Sequence, residues 1–289
     1  MSATSRLDGR CGIVTGSSRG LGRAFACHLA RQGMAVVVNG TDPAAVDEVV
    51  TAITRDGGTA TAVLGSVAEE PTWDALVDAC RSLGSVDLLV NNAGILRDRS
   101  VLKMAPEDFD AVVAVHLRGT WGCSTRVARE MRTGGGGSIV SIGSGSGLFG
   151  MFGQANYAAA KAGIVGLNRV LDLELTRYGI RCNVLCPVAR TDMTSVLAGD
   201  GPSYALEFPD PNHVAPILPW LASEAAEHVR GQVISFDGEE LGIWSHPQRA
   251  ASGGRPCGTW TAEDFGSVVV EASLQQPHPD RWGRGAVTA

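Results

Sequence analysis

Nowhere in this 289-residue chain do apolar residues run to the roughly 18 in succession that a membrane-spanning helix needs. A basic run is missing too. The net charge is −6, from 24 Lys and Arg against 30 Asp and Glu, which argues against nucleic acid as a partner. Seven cysteines (Cys11, Cys27, Cys80, Cys123, Cys182, Cys186 and Cys257) are scattered, with no CxxC pair and no Cys/His cluster. Neither a metal site nor a disulfide framework is indicated. The opening MSATSRLDGR is polar and has no apolar core of a secretion signal. There is no internal repeat. These absences lead us to expect a soluble, reduced, cytoplasmic protein.

What is present is apolar content, 44% of residues, enough for a large core in one α/β unit. Short β-branched runs punctuate the chain: CGIVTG from Cys11, MAVVVNG from Met34, TATAVLGS from Thr59 and VDLLVNNAG from Val86. GSIVSIGS from Gly137, IRCNVLCP from Ile180 and GQVISFDG from Gly231 continue the series. Between them lie apolar residues at helical spacing, as at 21–32, 44–55 and 162–178. Strands that are apolar throughout and separated by helices predict an α/β fold, a doubly wound parallel sheet with helices on both faces, in a single domain of residues 1–242. GGGG at 134–137 reads as a loose surface loop. Residues 243–289 form an extension rich in Gly, Pro and Arg, with one helix expected from Thr261, its N-cap. Its tryptophans, Trp244, Trp260 and Trp282, suggest docking on its own domain or on a neighbouring subunit.

TGSSRGLG, from Thr15 to Gly22, follows the first strand and opens a helix. Gly16, Gly20 and Gly22 remove Cβ atoms where a pyrophosphate must approach the backbone, and the helix N-terminus supplies N–H groups and partial positive charge. The context predicts a dinucleotide site. An acid at the end of the second strand would bond a ribose 2′-OH in an NAD site. Here the strand ends VVVNGTDP, with Asn39, then Gly40 in the acid's place, then Thr41. Arg19 can pair with a 2′-phosphate and Thr41 can add a hydrogen bond, so NADP(H) is favoured and NAD(H) remains open. Both side chains can equally be read as solvated loop residues.

In GQANYAAAK, Tyr157 and Lys161 lie one helical turn apart on one face, with only alanines between. A free phenol, with a pKa of about 10, is a poor base at neutral pH, and a nearby ammonium favours the phenolate. Such a pair can pass a proton to a carbonyl or take one from an alcohol. It can also be an ordinary exposed Tyr/Lys pair. IVSIGSGSG places Ser144 at the C-terminal end of a strand, where α/β sites gather and where a hydroxyl can hold a carbonyl oxygen; Ser141 and Ser146 compete for that role.

TGSSRGLG, NNAG (91–94), Ser144 and YAAAK, in this order, resemble the short-chain dehydrogenase/reductase family over roughly residues 7 to 240. The resemblance implies a Rossmann-type homodimer or homotetramer that moves hydride between NAD(P) and a carbonyl or alcohol. Ser144, 13 residues before Tyr157, would orient the carbonyl. Tyr157 would be the acid/base, and Lys161 would lower its pKa and bind the nicotinamide ribose. Ser18, Arg19, Leu21 and the three glycines would hold the pyrophosphate side. Ser66 and Val67 would meet adenine, and Asn92, Ala93 and Gly94 would line the adenosine side. Pro187, Val188 and Thr191 would border the nicotinamide. GQANYAAAKAG and NNAGILRD are similar to 3-oxoacyl-carrier-protein reductases. VHLRGTW, VAPILPWLASE and the C-terminal extension are more similar to the (3R)-hydroxyacyl-CoA dehydrogenase domains of peroxisomal multifunctional enzymes.

Three positions depart from the family pattern. His116 stands where a relay-holding asparagine is usual, and it can serve either as relay or as a packed core residue. Val188, in CPV, replaces the glycine of a PG pair, and Ser66 replaces an aspartate. The lid between Thr191 and Val214 is short. Leu148, Phe149, Met151 and Phe152 are candidates to line the substrate pocket, or else a buried loop or subunit contact. The resulting expectation is an NADPH-dependent ketoreductase of a 3-oxoacyl thioester or related β-keto compound. A carbonyl reductase of a bulky polyketide or steroid, and a non-catalytic dinucleotide sensor, are the alternatives.

Overall fold

Valine- and isoleucine-rich runs with no polar face need cover on both sides, and each of the seven becomes a strand of one sheet. In this computed structural model, which describes residues 7–189, 209–247 and Thr261, they are β1 (Arg10–Val14), β2 (Ala35–Gly40), β3 (Ala60–Leu64) and β4 (Ser85–Asn91). β5 (Gly137–Ile142), β6 (Ile180–Pro187) and β7 (Val233–Phe236) complete the parallel set. The sheet order is β3-β2-β1-β4-β5-β6-β7-β8, so the winding reverses between β1 and β4. β8 (Leu241–Trp244) was not expected. It pairs antiparallel with β7, Ile243 opposite Ile234, and carries the first compact unit to Trp244, past the boundary expected at 242. The second unit is Ser245–Ala289.

Helices cover both faces: α1 (Gly20–Arg31), α2 (Pro43–Arg55), α3 (Glu70–Leu83), α4 (Pro106–Val113), α5 (Gly119–Gly134), α6 (Gly145–Phe149) and α7 (Ala155–Leu175). Two short ones follow, α8 (Pro211–Val214) and α9 (Ile217–Ala222). Asp42 starts α2 by accepting from the N–H groups of Ala44 and Ala45. A π-helical turn, Ala114–Arg118, joins α4 to α5 without a break. The strand period of two sorts the core. Val36, Val38, Leu88 and Val140 pack with Phe25 and Leu29 of α1, whereas Ile13, Val37, Leu89 and Ile139 pack with Trp73 of α3 and Met131 of α5.

The GGGG segment is not a loose loop. Gly135, at φ +97°, caps α5 through its N–H to the Met131 carbonyl, and the Gly136 N–H reaches the same oxygen at 2.9 Å. A Cβ on Gly136 would lie 2.5 Å from the Gly179 carbonyl oxygen, so the glycines make a tight stop between α5 and β5. Thr191, Trp260, Trp282 and the helix expected after Thr261 lie outside the described residues.

Ile139, wholly buried in β5, should cost about 2–5 kcal/mol of unfolding free energy when changed to alanine. Leu173→Ala, at an 82% exposed position on α7, should change it by less than about 0.5 kcal/mol. Urea titration of the two variants measures both.

Candidate active site

The C-terminal ends of β1, β2, β4, β5 and β6 converge beside the winding reversal, the place where open α/β sheets bind ligands. The glycine turn leaves β1 there. A Cβ on Gly16 would stand 2.6 Å from Ala93 Cα, and one on Gly22 would strike the Gly16 carbonyl oxygen and the Asn92 side chain. The turn is thus pressed against the NNAG segment with no room for side chains. The first N–H groups of α1 have no intrahelical acceptor, and the exposed Arg19 at its N-cap position makes no capping side-chain bond. This cradle fits the pyrophosphate of a dinucleotide. At the end of β2, a Cβ on Gly40 would stand 2.9 Å from Val46 Cγ2 and 3.0 Å from Ser18 Oγ. The acid usual in an NAD site is missing, and a side chain there would have to displace these two neighbours.

Buried polar side chains hold the turn. Asn39 donates to the carbonyls of Val63 and Gly65 at 3.0 and 3.1 Å and accepts from the Gly16 N–H at 3.1 Å. Its amide is thus occupied in tying β2, β3 and the turn together. Thr15 Oγ1 accepts from the N–H groups of Asn92 and Ala93, and Asn92 donates to the carbonyls of Thr15 and Gly16 at 3.0 and 2.9 Å. Asn91 donates to Ser124 and Ser141 inside the core. Ser66 Oγ accepts from the Ala68 N–H, and Val67 is buried against Gly119 with its carbonyl taking the Trp73 indole N–H. The half-buried Pro187 and Val188 end β6, the Val188 N–H bonded to the Phe236 carbonyl; Leu21 is half-buried in the first turn of α1, and Thr41, just after β2, is exposed.

α7 carries Tyr157 and Lys161 under the end of β5. Lys161 is 3% exposed and donates from Nζ to the Ile142 carbonyl at 2.6 Å. Its ammonium lies 5.4 Å from the Tyr157 ring centroid. A Cβ on Gly147 would stand 2.7 Å from Lys161 Cβ, so α6 crosses α7 at contact and brings Ser144 to the phenol. Of the three serines left open by the sequence, Ser144 is the one whose hydroxyl acts on the Tyr157 phenol, lowering it. Ser141 is engaged by Asn91, and Ser146 donates to Gln154.

The electrostatics differ from expectation. Burial pushes the Tyr157 phenol up to about 12, against the Ser144 hydrogen bond that pulls it down, with Cys186 and Asp98 adding to the rise. Burial also lowers the Lys161 ammonium to about 8. Desolvation is the largest influence on the phenol and raises it, opposite to the lowering expected from the Lys161 charge.

His116 sits in the π-helical turn, 2% exposed, edge-on to Tyr157 with ring centroids 5.1 Å apart. Its Nε2 lies 3.0 Å from the Ile95 nitrogen and 2.8 Å from the Ile95 oxygen, while its buried Nδ1 has no partner among the described residues. Burial first, then the Lys161 charge, holds the imidazole down to about 3. A Cβ on Gly94 would strike its ring.

The four apolar pocket candidates do not share one environment. Leu148 packs on the cluster of Ile164, Val165, Val184, Cys186 and Val233, whereas Phe149 stacks edge-on to Trp244 at 5.0 Å. Met151 is half-buried, and Phe152 is 91% exposed. Sequence reasoning missed Asn156 and Gln154, although both stand in the motif beside Tyr157. Asn156 donates to the carbonyls of Arg97 and Asp108 and accepts from the Tyr157 N–H at 2.7 Å. Their signal was a buried amide next to a reactive side chain.

With this geometry goes a match to the short chain dehydrogenase family profile over residues 10–200, and the chain belongs to that family. It is an oxidoreductase of that type. The hydroxyacyl-CoA dehydrogenase ChsB1 of Mycobacterium tuberculosis is 42% identical over 84% of this chain and 82% of its own length. A 3-oxoacyl-[acyl-carrier-protein] reductase of Synechocystis is 38% identical, over 80% of this chain and 97% of the relative. The mouse peroxisomal multifunctional enzyme type 2 is 40% identical over 80% of this chain, which spans 32% of that longer protein. Among solved structures, a short chain dehydrogenase from Mycobacterium avium superposes with a TM-score of 0.83 at 35% identity, covering 96% of this chain and 99% of that one.

His116 yields a pH test. Its folded value, about 3, lies below the ordinary 6.5, so the native protein binds fewer protons than the unfolded chain between those limits. The stability that a neutral His116 permits is complete above pH 6.5 and lost as pH falls toward 3. His116→Asn should flatten the acid side of the stability curve by up to one proton's worth of slope, measured by urea unfolding at several pH values.

Proposed function

We propose that the protein is an NADPH-dependent ketoreductase that acts reversibly on a 3-oxoacyl thioester or a related β-keto compound. The observation that carries this reading is the meeting of Ser144, Tyr157 and Lys161 at the end of β5, beside a glycine cradle on β1. Nicotinamide, when bound, supplies the hydride. Ser144 holds the carbonyl oxygen, Tyr157 delivers the proton to it, and Lys161 together with His116 borders the path by which that proton is replaced. A phenol held protonated by burial suits the reductive direction, because the acid form is the one required. Preference for the 2′-phosphate rests on Arg19 at the α1 N-cap and on Gly40 standing in place of a carboxylate that would repel it. The thioester class rests on the names of the hydroxyacyl-CoA and oxoacyl relatives.

The same reading includes a cytoplasmic homodimer or homotetramer. Trp121 on α5 and Val170 on α7 are exposed apolar groups of the kind that second copies cover. The 243–289 extension is proposed to dock through its tryptophans.

The test follows NADPH absorbance on adding acetoacetyl-CoA to the purified protein, with Tyr157→Phe beside it. Oxidation by the unmodified protein and loss of most of the rate in the variant are expected. Reduction of bulky polyketide or steroid ketones in place of the thioester would replace the substrate class. NADPH bound by both proteins but oxidised by neither with any of these ketones would favour a sensor, and equal oxidation rates in both would remove Tyr157 as the acid. Arg19→Ala should weaken NADPH binding by roughly tenfold or more with little effect on NADH, measured by fluorescence titration.

A further inference from the structure

A second polar chain, through Asp98, Gln154 and Ser146, reaches Ser144. The segment leaving β4 and the segment entering α7 run together: Arg99 pairs with Gln154 in a parallel bridge, and the Arg99 N–H donates to the Gly153 carbonyl at 2.9 Å. Across this junction Gln154 Nε2 donates to Asp98 Oδ2 at 2.8 Å. Ser146 Oγ donates to Gln154 Oε1 at 2.9 Å, and the Ser146 N–H donates to Ser144 Oγ at 3.2 Å. Gln154 and Ser146 are 3% and 4% exposed, so these bonds have little competition from water.

The chain has a direction, and Asp98 sets it. A carboxylate only accepts, so the Gln154 amide must turn its NH₂ toward Asp98 and its oxygen toward Ser146. The Ser146 hydroxyl proton is thereby committed to Gln154. Ser144 Oγ receives a backbone N–H on its acceptor side, which leaves its own proton for the oxygen beside Tyr157. The other Asp98 oxygen, Oδ1, is buried with no hydrogen-bond partner among the described residues. The residue as a whole is half-buried, and an enclosed carboxylate oxygen without a partner still costs stability and calls for a use.

We propose that Asp98 is a positioning residue for the reaction, acting through Gln154 and Ser146 to fix the Ser144 hydroxyl with its proton directed at the carbonyl oxygen. This rests on the reading of Ser144 as the carbonyl holder. The charge of Asp98 has a second effect, since it disfavours the phenolate of Tyr157. The groups that face this phenol are Lys161 on its own helix, His116 from the π-helical turn, Ser144 after β5, Cys186 from β6 and Asp98 from the β4 exit.

Steady-state kinetics of the full chain separate these roles, with NADPH and the ketone that the unmodified protein reduces fastest. Ser146→Ala and Asp98→Ala should each lower kcat about tenfold to a hundredfold, with substrate KM and NADPH affinity changed by less than about threefold. Asp98→Asn keeps an acceptor for Gln154 and should restore kcat to within about threefold. Without the charge, its acid limb in the alcohol-oxidation direction should move to lower pH. Thermal midpoints check folding. Ser146→Ala, which removes one oxygen atom, carries the test should Asp98→Ala not fold.

Wild-type kcat in Ser146→Ala, or equal impairment in Asp98→Asn and Asp98→Ala, would overturn the proposal. Ser144→Ala separates the two levels. If it keeps the full rate, the reading of Ser144 fails. If it is inactive while Ser146→Ala and Asp98→Ala are not, the chain alone fails.

Discussion

The site is organised around one ammonium taken out of water. Burying a lysine without compensation is costly, and the structure offers Lys161 a backbone carbonyl at the end of β5 instead of a carboxylate. That choice fixes α7 against β5. It also requires that nothing larger than glycine stand at position 147, where α6 crosses. Ser144, the residue that starts α6, is then held at the phenol one turn before the lysine. Cys186 on β6 closes the same space, its thiol pushed up to about 11 by burial despite the lysine charge. A neutral thiol and a neutral imidazole thus surround the phenol, and Lys161 is the cation among them.

The dinucleotide side follows the opposite rule. There the strand ends are stitched by neutral amides and hydroxyls whose hydrogen bonds are nearly all spent on backbone. Asn39, Thr15 and Asn92 leave the turn rigid and its helix N-terminus open. Buried polar groups of this kind are tolerated only when satisfied, and satisfied networks specify one geometry. Their reach across β2, β1 and β4 joins the cradle to the NNAG segment, and through Gly94 to His116. Binding and proton transfer are therefore parts of one connected frame.

Much of this was legible in the sequence because strand runs and glycine positions answer to local rules. The seven apolar runs became seven strands in place, and Gly16 and Gly22 mark real close approaches. The Tyr157/Lys161 spacing placed both on one face of α7. Other features were hidden for physical reasons. β8 is a short LGIW run that gains its identity from pairing with β7, a tertiary fact. The GGGG turn looked loose because its partner, the Gly179 carbonyl, is far away in sequence. The raised phenol was missed because spacing reports the neighbouring charge and says nothing of desolvation. The chain of Asp98, Gln154 and Ser146 joins three segments, so no local pattern could reveal it.

The central claim is that burial keeps Tyr157 a protonated acid, pushed up to about 12. The direct measurement is an ultraviolet difference titration of the phenols in the unmodified protein and in Tyr157→Phe, first free and then with NADP⁺. In the free protein the two curves should coincide up to the ordinary phenol value of about 10, with no Tyr157 step beneath it. A step in the free protein below that value, absent from Tyr157→Phe, would contradict the account and return the lowered pKa to Lys161.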